Sequence, residues 1–88
     1  MAVLIDSPLW LYRGVKHAHL VSDRSYDELH VFAGEIGLPL RAFQGDHYDV
    51  PLHMISYALE SGAIQVDPRE LLGRLIGAGL RRKRSKRF

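Results

Sequence analysis

The segment Asp46-His47-Tyr48-Asp49-Val50-Pro51-Leu52-His53 concentrates residue types that do chemistry. Imidazole and carboxylate together suit zinc, manganese or iron. They equally suit a histidine base oriented by an acid. His47 and Asp49 can serve either chemistry from a loop, with Tyr48 placed to donate a hydrogen bond or to pack. The competing account is structural: Asp49 caps a following helix and His47 lies beside it at the surface. His17 and His19 offer a second pair of imidazoles. Two residues apart on a strand, they face the same side, as a metal pair or as polar residues of a half-exposed strand. His30 falls beside the apolar stripe of a helix, where packing or a surface position explains it.

Asp6 and Asp23 each follow a strand, and two acids at the ends of neighbouring strands can hold a divalent cation. Each can also simply terminate its strand in a turn. Trp10, Tyr12 and Arg13 occupy a segment able to reach the same edge, where Trp10 can stack on a ligand and Arg13 can hold an anion. Trp10 alternatively closes the core of a very small domain. Asp67 is fully explained as a helix cap. The chain has no phosphate-binding glycine loop, no nucleophile elbow and no HExxH pair, so kinase, dinucleotide-dependent dehydrogenase and serine hydrolase readings lack support. It has no cysteine, which excludes disulfides and thiolate ligands.

The elements that must position these residues are legible in outline. Val3-Leu4-Ile5 reads as a buried strand closed by Asp6-Ser7-Pro8. Leu9–Lys16 reads as a loop or a partly paired strand, and His17–Val21 as a second strand. Ser25 with Glu28 forms a capping box. It starts a helix with the stripe Leu29, Phe32, Ala33 and Ile36, ended by Gly37. A short strand near Ala42-Phe43 precedes a polar loop. A second helix is expected from Asp49 or Val50, with Pro51 in its first turn and Leu52, Ile55, Ala58 and Leu59 as its buried face. Ala63–Val66 reads as a strand. Asp67 and Pro68 then start a third helix with Leu71, Leu72, Leu75 and Ile76 inward. Strands alternating with helices predict a small α/β domain in two or three layers, with a short, largely parallel sheet and about three helices. Ligands would then bind at the carboxyl edge of the strands.

At 88 residues, 47% hydrophobic and 25% charged, the composition is that of one globular domain. The net charge of +2 hides a segregation. Residues 1–80 carry six cations against ten acids, a balance of −4, while Arg81–Phe88 carries six cations and no acid, a balance of +6. The domain is therefore expected over 1–80, with a self-repelling, disordered basic tail over 81–88. In that tail Arg81, Arg82, Lys83, Arg84, Lys86 and Arg87 are candidate contacts for nucleic acid or an anionic surface, or serve only solubility. The small core would gain from homodimerisation. No stretch is long and apolar enough to span a membrane, and Met1–Asp6 lacks the features of a secretory leader, giving an expectation of a cytoplasmic protein.

Several groups taken together resemble a known family. They are the strand ending in Asp6, Trp10, Arg13-Gly14, His19-Leu20, Asp23, Asp27-Glu28-Leu29-His30, Phe32-Ala33, Phe43-Gln44, His47-Tyr48-Asp49 and Gly62-Ala63. This set resembles a bacterial and phage domain family of unknown function, number 4031, over about residues 2–80. The resemblance implies no reaction. It implies that His19, Asp23, His47, Tyr48 and Asp49 stand on the family's polar positions, whereas His17 and His53 stand outside them. Leu11 and Tyr12 depart from the family's usual loop.

Two readings follow. In one, His19, Asp23, His47 and Asp49 carry metal- or His/Asp-assisted hydrolysis of a phosphate-containing substrate, with Asp6, Trp10, Arg13 and Tyr48 binding the ligand and a divalent metal as cofactor. In the other, the domain is a non-enzymatic interaction module whose basic tail meets nucleic acid or an anionic partner.

Overall fold

The structure is a computed structural model that describes residues 2–8 and 10–82, with Trp10 and Tyr12 defined by their backbone. Lys83, Arg84, Lys86 and Arg87 of the expected tail lie outside the described residues, as do the side chains of Trp10 and Tyr12.

The short β-branched run Val3–Ile5 forms strand β1, buried throughout. The chain resumes as β2, Trp10–Tyr12, and returns as β3, Val15–Ser22. Between them Arg13 and Gly14 have φ of 54° and 79°, the left-handed pair whose twist suits a two-residue hairpin. The segment read as loop or paired strand is thus paired, with Trp10 opposite His17 and Tyr12 opposite Val15.

β3 organises the sheet. Tyr48–Pro51 forms β4 and Ile64–Gln65 forms β5. Leu20 lies between Ile5 and Tyr48, and His17 between Trp10 and Pro51. β1 and β2 therefore succeed each other along one side of β3, while β4 takes the other. β5 joins β1 in parallel. Five strands fill four lateral positions in a mixed sheet. The expectation of an α/β domain with three helices holds, but three of the four pairings are antiparallel. The two-residue turn at Arg13-Gly14 folds β2 back directly on β3, and so short a link cannot make the crossover that parallel neighbours require.

The second correction concerns residues 48–54. No helix begins at Asp49. Tyr48 and Val50 are buried while Asp49 and Pro51 are half-buried, a period of two that marks a strand. Pro51 is tolerated because β4 is an edge strand, where a missing N–H costs no ladder bond. The first helix, α1, spans Tyr26–Glu35, and a 3₁₀ turn at Leu52–Met54 leads into the shorter second helix, α2, over Ile55–Glu60.

α1 starts as expected: Ser25 Oγ accepts from the Glu28 amide at 3.0 Å. The reciprocal half of the box is rerouted, because the Glu28 carboxylate accepts from Ser22 Oγ at 2.6 Å and the Ser25 amide donates to that same oxygen at 3.1 Å. Gly37, at φ 91°, ends the helix, and the Leu38 amide reaches Ala33 O at 2.8 Å. The third helix, α3, spans Pro68–Gly77, with the Asp67 carboxylate accepting from the Glu70 amide at 2.8 Å.

The layers are three. α1 and α2 place Leu29, Phe32, Ala33, Ile36, Ile55 and Ala58 on the sheet face formed by Val3, Ile5, Ala18, Leu20 and Val50. α3 covers part of the opposite face through Leu71 and Leu75 on Leu4 and Val21. This second core is small. Leu72 and Ile76, expected in it, remain 40% and 56% exposed, as do Leu52 and Leu59 of the α2 region at 52% and 38%. No helix among the described residues is long and apolar enough to cross a membrane.

α3 is held at its far end by charge. Arg74 Nη2 and Nε donate to Asp23 Oδ2 at 2.7 and 3.1 Å, and the Ala2 amide donates to Asp23 Oδ1 at 2.7 Å. Burial pushes the Asp23 carboxyl upward, but the Ala2 amide and Arg74 more than offset this and hold it below its ordinary range. A depressed carboxyl stabilises the fold above its unfolded pKa, near 3.9, and that contribution disappears as pH falls through the folded value. Urea denaturation across pH 2–6 is expected to show this acid loss in the wild type and a flatter profile in Asp23→Asn. Leu75→Ala is expected to cost about 2–5 kcal/mol, against less than about 0.5 kcal/mol for the exposed Val31→Ala, both read from the urea midpoint.

Candidate metal centre

The β1–β3 register continues one residue past β1. The Asp6 amide donates to His19 O at 3.1 Å, and across the other side of β3 His19 lies opposite Asp49. Asp6, His19 and Asp49 thus form a row across three strand lines. By strand alternation His19 shares a face with Val21, and Asp6 with Leu4. That is the face α3 covers only in part.

Asp6 is 2% exposed. Its Oδ1 accepts from the His19 amide at 2.6 Å and its Oδ2 lies 2.9 Å from His19 Nδ1. With Nδ1 committed to a carboxylate, Nε2 is the ligating nitrogen of His19. His47 repeats the arrangement. Its Nδ1 lies 2.7 Å from Oδ1 of Asp46, a residue only 4% exposed, and its Nε2 lies 3.2 Å from Asp49 Oδ1. The two imidazoles meet edge to face with centroids 5.1 Å apart. One ligand atom from each of His19, His47 and Asp49 falls within 4.8 Å of the others.

Asp49 Oδ1 is buried and receives no hydrogen bond, although His47 Nε2 is near enough for an ion pair. A buried acceptor of this kind is costly unless something satisfies it. The 3.2 Å separation is close to the roughly 3.3 Å edge of a tetrahedron with metal bonds of about 2.0–2.1 Å. Burial draws the His47 pKa down, but the Asp49 and Asp46 carboxylates more than reverse this and raise it above its ordinary value. Burial pushes Asp46 up, and the bonds from His47 and the Arg82 amide hold it below the usual carboxylate range. Among the described residues three carboxylates and Arg81 surround the two imidazoles, so a proton on His47 or a bound cation would each offset the remaining negative charge.

A cavity of about 220 Å³ opens beside these residues. Asp6, His19, His47 and Arg81 form its polar end, and Val21, Pro68, Leu71, Leu72 and Leu75 its apolar wall. The chain reaches Arg81 by a fixed route: Tyr26 Oη donates to Leu80 O, the Arg82 amide donates to Asp46 Oδ2 at 2.9 Å, and the Arg82 guanidinium lies 4.9 Å from the Tyr26 ring centroid. The first two residues of the expected tail are therefore fastened to the domain.

The other sequence candidates lie elsewhere. Because β1 and β3 are antiparallel, their ends fall at opposite edges of the sheet. Asp6 stands beside His19, whereas Asp23 sits about 13 Å further along the β3 direction, bonded to Arg74. Tyr48 is 1% exposed in the opposite core, its Oη 2.7 Å from His30 Nδ1; strand alternation turns it away from its neighbours His47 and Asp49. Arg13 lies at the hairpin tip. The backbone of Trp10 pairs with His17, whose Nδ1 lies 2.9 Å from Val15 O. Two roles escaped sequence reading. Asp46 backs His47, a relation its adjacency could have signalled. Arg81 lines the cavity, a role hidden inside a run of like charges.

The chain belongs to the family described as a protein of unknown function, DUF4031, whose model matches residues 3–78. Neither a curated protein nor a solved structure matches it. The matched span includes Asp6, His19, His47 and Asp49 and stops before Arg81.

Nitrogen-15 NMR of the imidazoles is expected to find neutral His19 carrying its proton on Nδ1. Asp6→Ala is expected to shift it toward the Nε2–H tautomer and to cost about 1–3 kcal/mol of stability, because the buried His19 amide loses its acceptor.

Proposed function

We propose that the chain binds one divalent transition-metal ion through His19, His47 and Asp49 and hydrolyses a phosphate-containing substrate beside it. One observation carries the reading: two imidazoles, each with Nδ1 against a buried carboxylate, converge with a buried Asp49 oxygen whose near neighbour is His47 Nε2 at 3.2 Å. Carboxylates behind metal-binding histidines fix their tautomer and raise their basicity. Zinc fits best, since catalytic zinc sites take three nitrogen or oxygen ligands and keep a further position open.

A zinc ion there would supply a water whose pKa is lowered to about 7. Asp6 and Asp46 engage Nδ1 of His19 and His47, which would leave Nε2 of each ring to ligate the ion. Hydrolysis at such a site would join a water oxygen to phosphorus, break the bond from phosphorus to the ester oxygen and leave one water proton on the departing oxygen. The products are an alcohol and a phosphate. The apolar wall of Leu71, Leu72 and Leu75 limits bulk water on one side of the reacting group. Asp23, Arg13 and Tyr48 have no part in this step.

In the alternative, a binding module that meets nucleic acid through its basic C-terminal residues, Arg81 and Arg82 would take part only by giving up Asp46 and Tyr26 for phosphates. The convergence of the His/Asp ligands favours the metal reading.

Zinc titrated into the full chain is expected to bind one ion per chain by calorimetry. At about one hundred times its dissociation constant it should stabilise by about 2.7 kcal/mol, raising the unfolding midpoint by roughly ten degrees or more. His47→Ala and Asp49→Asn should abolish the rise, and zinc-loaded wild type should hydrolyse p-nitrophenyl phosphate. Absence of any response to zinc, manganese and ferrous iron would overturn the proposal.

A further inference from the structure

The cavity beside the His/Asp cluster has two chemically distinct ends, and its cation comes from outside the matched family span. Arg81 Nη1 is 3.7 Å from Asp46 Oδ2, too long for a hydrogen bond. Asp46 Oδ2 already accepts from the Arg82 amide and Oδ1 lies against His47. Arg81 is thus held near the site by charge, with its guanidinium half exposed. Its backbone is not left to chance, because Leu80 and Arg82 on either side of it are fastened to Tyr26 and Asp46.

A guanidinium fork poised at a cavity matches the oxygens of a phosphate better than a point charge does. In the same cavity Leu71, Leu72 and Leu75 offer only apolar contact. The volume, about 220 Å³, lies below the roughly 300–1,000 Å³ of sites for drug-sized ligands.

We infer that Arg81 is the specificity-determining residue of the site. It holds the phosphate of a compact phosphate ester whose apolar organic group lies against Leu72 and its neighbours. The inference rests on the metal-hydrolase reading for its chemistry, but it concerns a different residue and can fail separately. It moves the anion-holding role from Arg13, at the hairpin tip, to Arg81, and it takes Arg81 out of the set of residues reserved for nucleic acid.

The test uses the full chain as wild type, Arg81→Ala, Arg81→Lys and Leu72→Asn. Calorimetry with zinc comes first, and equal stoichiometry in all four shows that the metal ligands are intact. Inorganic phosphate is then titrated into the zinc-loaded proteins, followed by phosphorus-31 NMR. Arg81→Ala is expected to weaken phosphate binding roughly tenfold or more, the loss of a charge-assisted bidentate contact, and Arg81→Lys to recover part of it. Leu72→Asn should raise KM for phenyl phosphate by a larger factor than for methyl phosphate, and equal changes for the two esters would overturn the placement of the organic group on Leu72. Phosphate affinity unaltered in Arg81→Ala, with zinc bound normally, would overturn the inference and leave the metal reading standing. Should wild type bind no zinc, the same titration on the zinc-free chains decides: Arg81-dependent phosphate binding supports the role of Arg81, and its absence overturns it. Preference for a short single-stranded oligonucleotide over phosphate, lost in Arg81→Ala, would overturn it in favour of a nucleic-acid contact.

Discussion

The carboxylate of Asp6 is almost wholly removed from water, a position that costs several kcal/mol unless donors replace the lost hydration. The His19 amide and imidazole provide them. One group therefore does two things. It carries the β1–β3 pairing beyond the end of β1, and it fixes which nitrogen of His19 faces the cavity. Fold and site share this interaction, so the geometry of the site cannot drift while the sheet stays paired.

Asp46 does on the other flank what Asp6 does on the first, with one difference. Asp6 is satisfied by a neighbouring strand, whereas Asp46 divides its oxygens between His47 and the start of the C-terminal segment. The orientation of His47 is thereby linked to residues thirty-six positions further along the chain. The link is local electrostatics: the Arg82 amide and the Arg81 charge help hold Asp46 ionised, and an ionised Asp46 holds His47. A domain with so small a second core gains rigidity at the site from these polar ties rather than from added hydrophobic area.

Much of this was legible in the residues. The strand Val3–Ile5, the helix capped by Ser25 and ended by Gly37, the helix capped by Asp67, and the inward stripe Leu29, Phe32, Ala33 and Ile36 each carry local signals that the tertiary structure keeps. His19, His47 and Asp49 stood out by type and spacing. What was not legible depends on pairing. Asp49 followed by Pro51 imitates a helix start, and only the alternate burial of Tyr48 and Val50 against β3 shows the segment to be an edge strand. Asp23 looked equivalent to Asp6 because each ends a strand. Strand direction, which no local signal encodes, sends the two to opposite edges and gives Asp23 to Arg74.

Charge is the remaining constraint, and its segregation along the chain takes on a different meaning in space. Three of the ten acids of the chain, Asp6, Asp46 and Asp49, are gathered around two histidines. Like charges brought this close repel, and the arrangement is tolerable only with compensating cations. Among the described residues Arg81, the first residue of the basic run, supplies compensation at 3.7 Å from Asp46. A run that looks detachable in sequence thus begins as part of the electrostatic balance of the site. Among the described residues one guanidinium stands against three carboxylates, and the two of those carboxylates that raise the His47 pKa leave room for either a proton or a cation where Nε2 of His47 and Oδ1 of Asp49 face each other. A proton and a metal ion therefore compete for one position, and the balance between them turns on how firmly Asp46 and Asp49 hold the imidazolium form of His47.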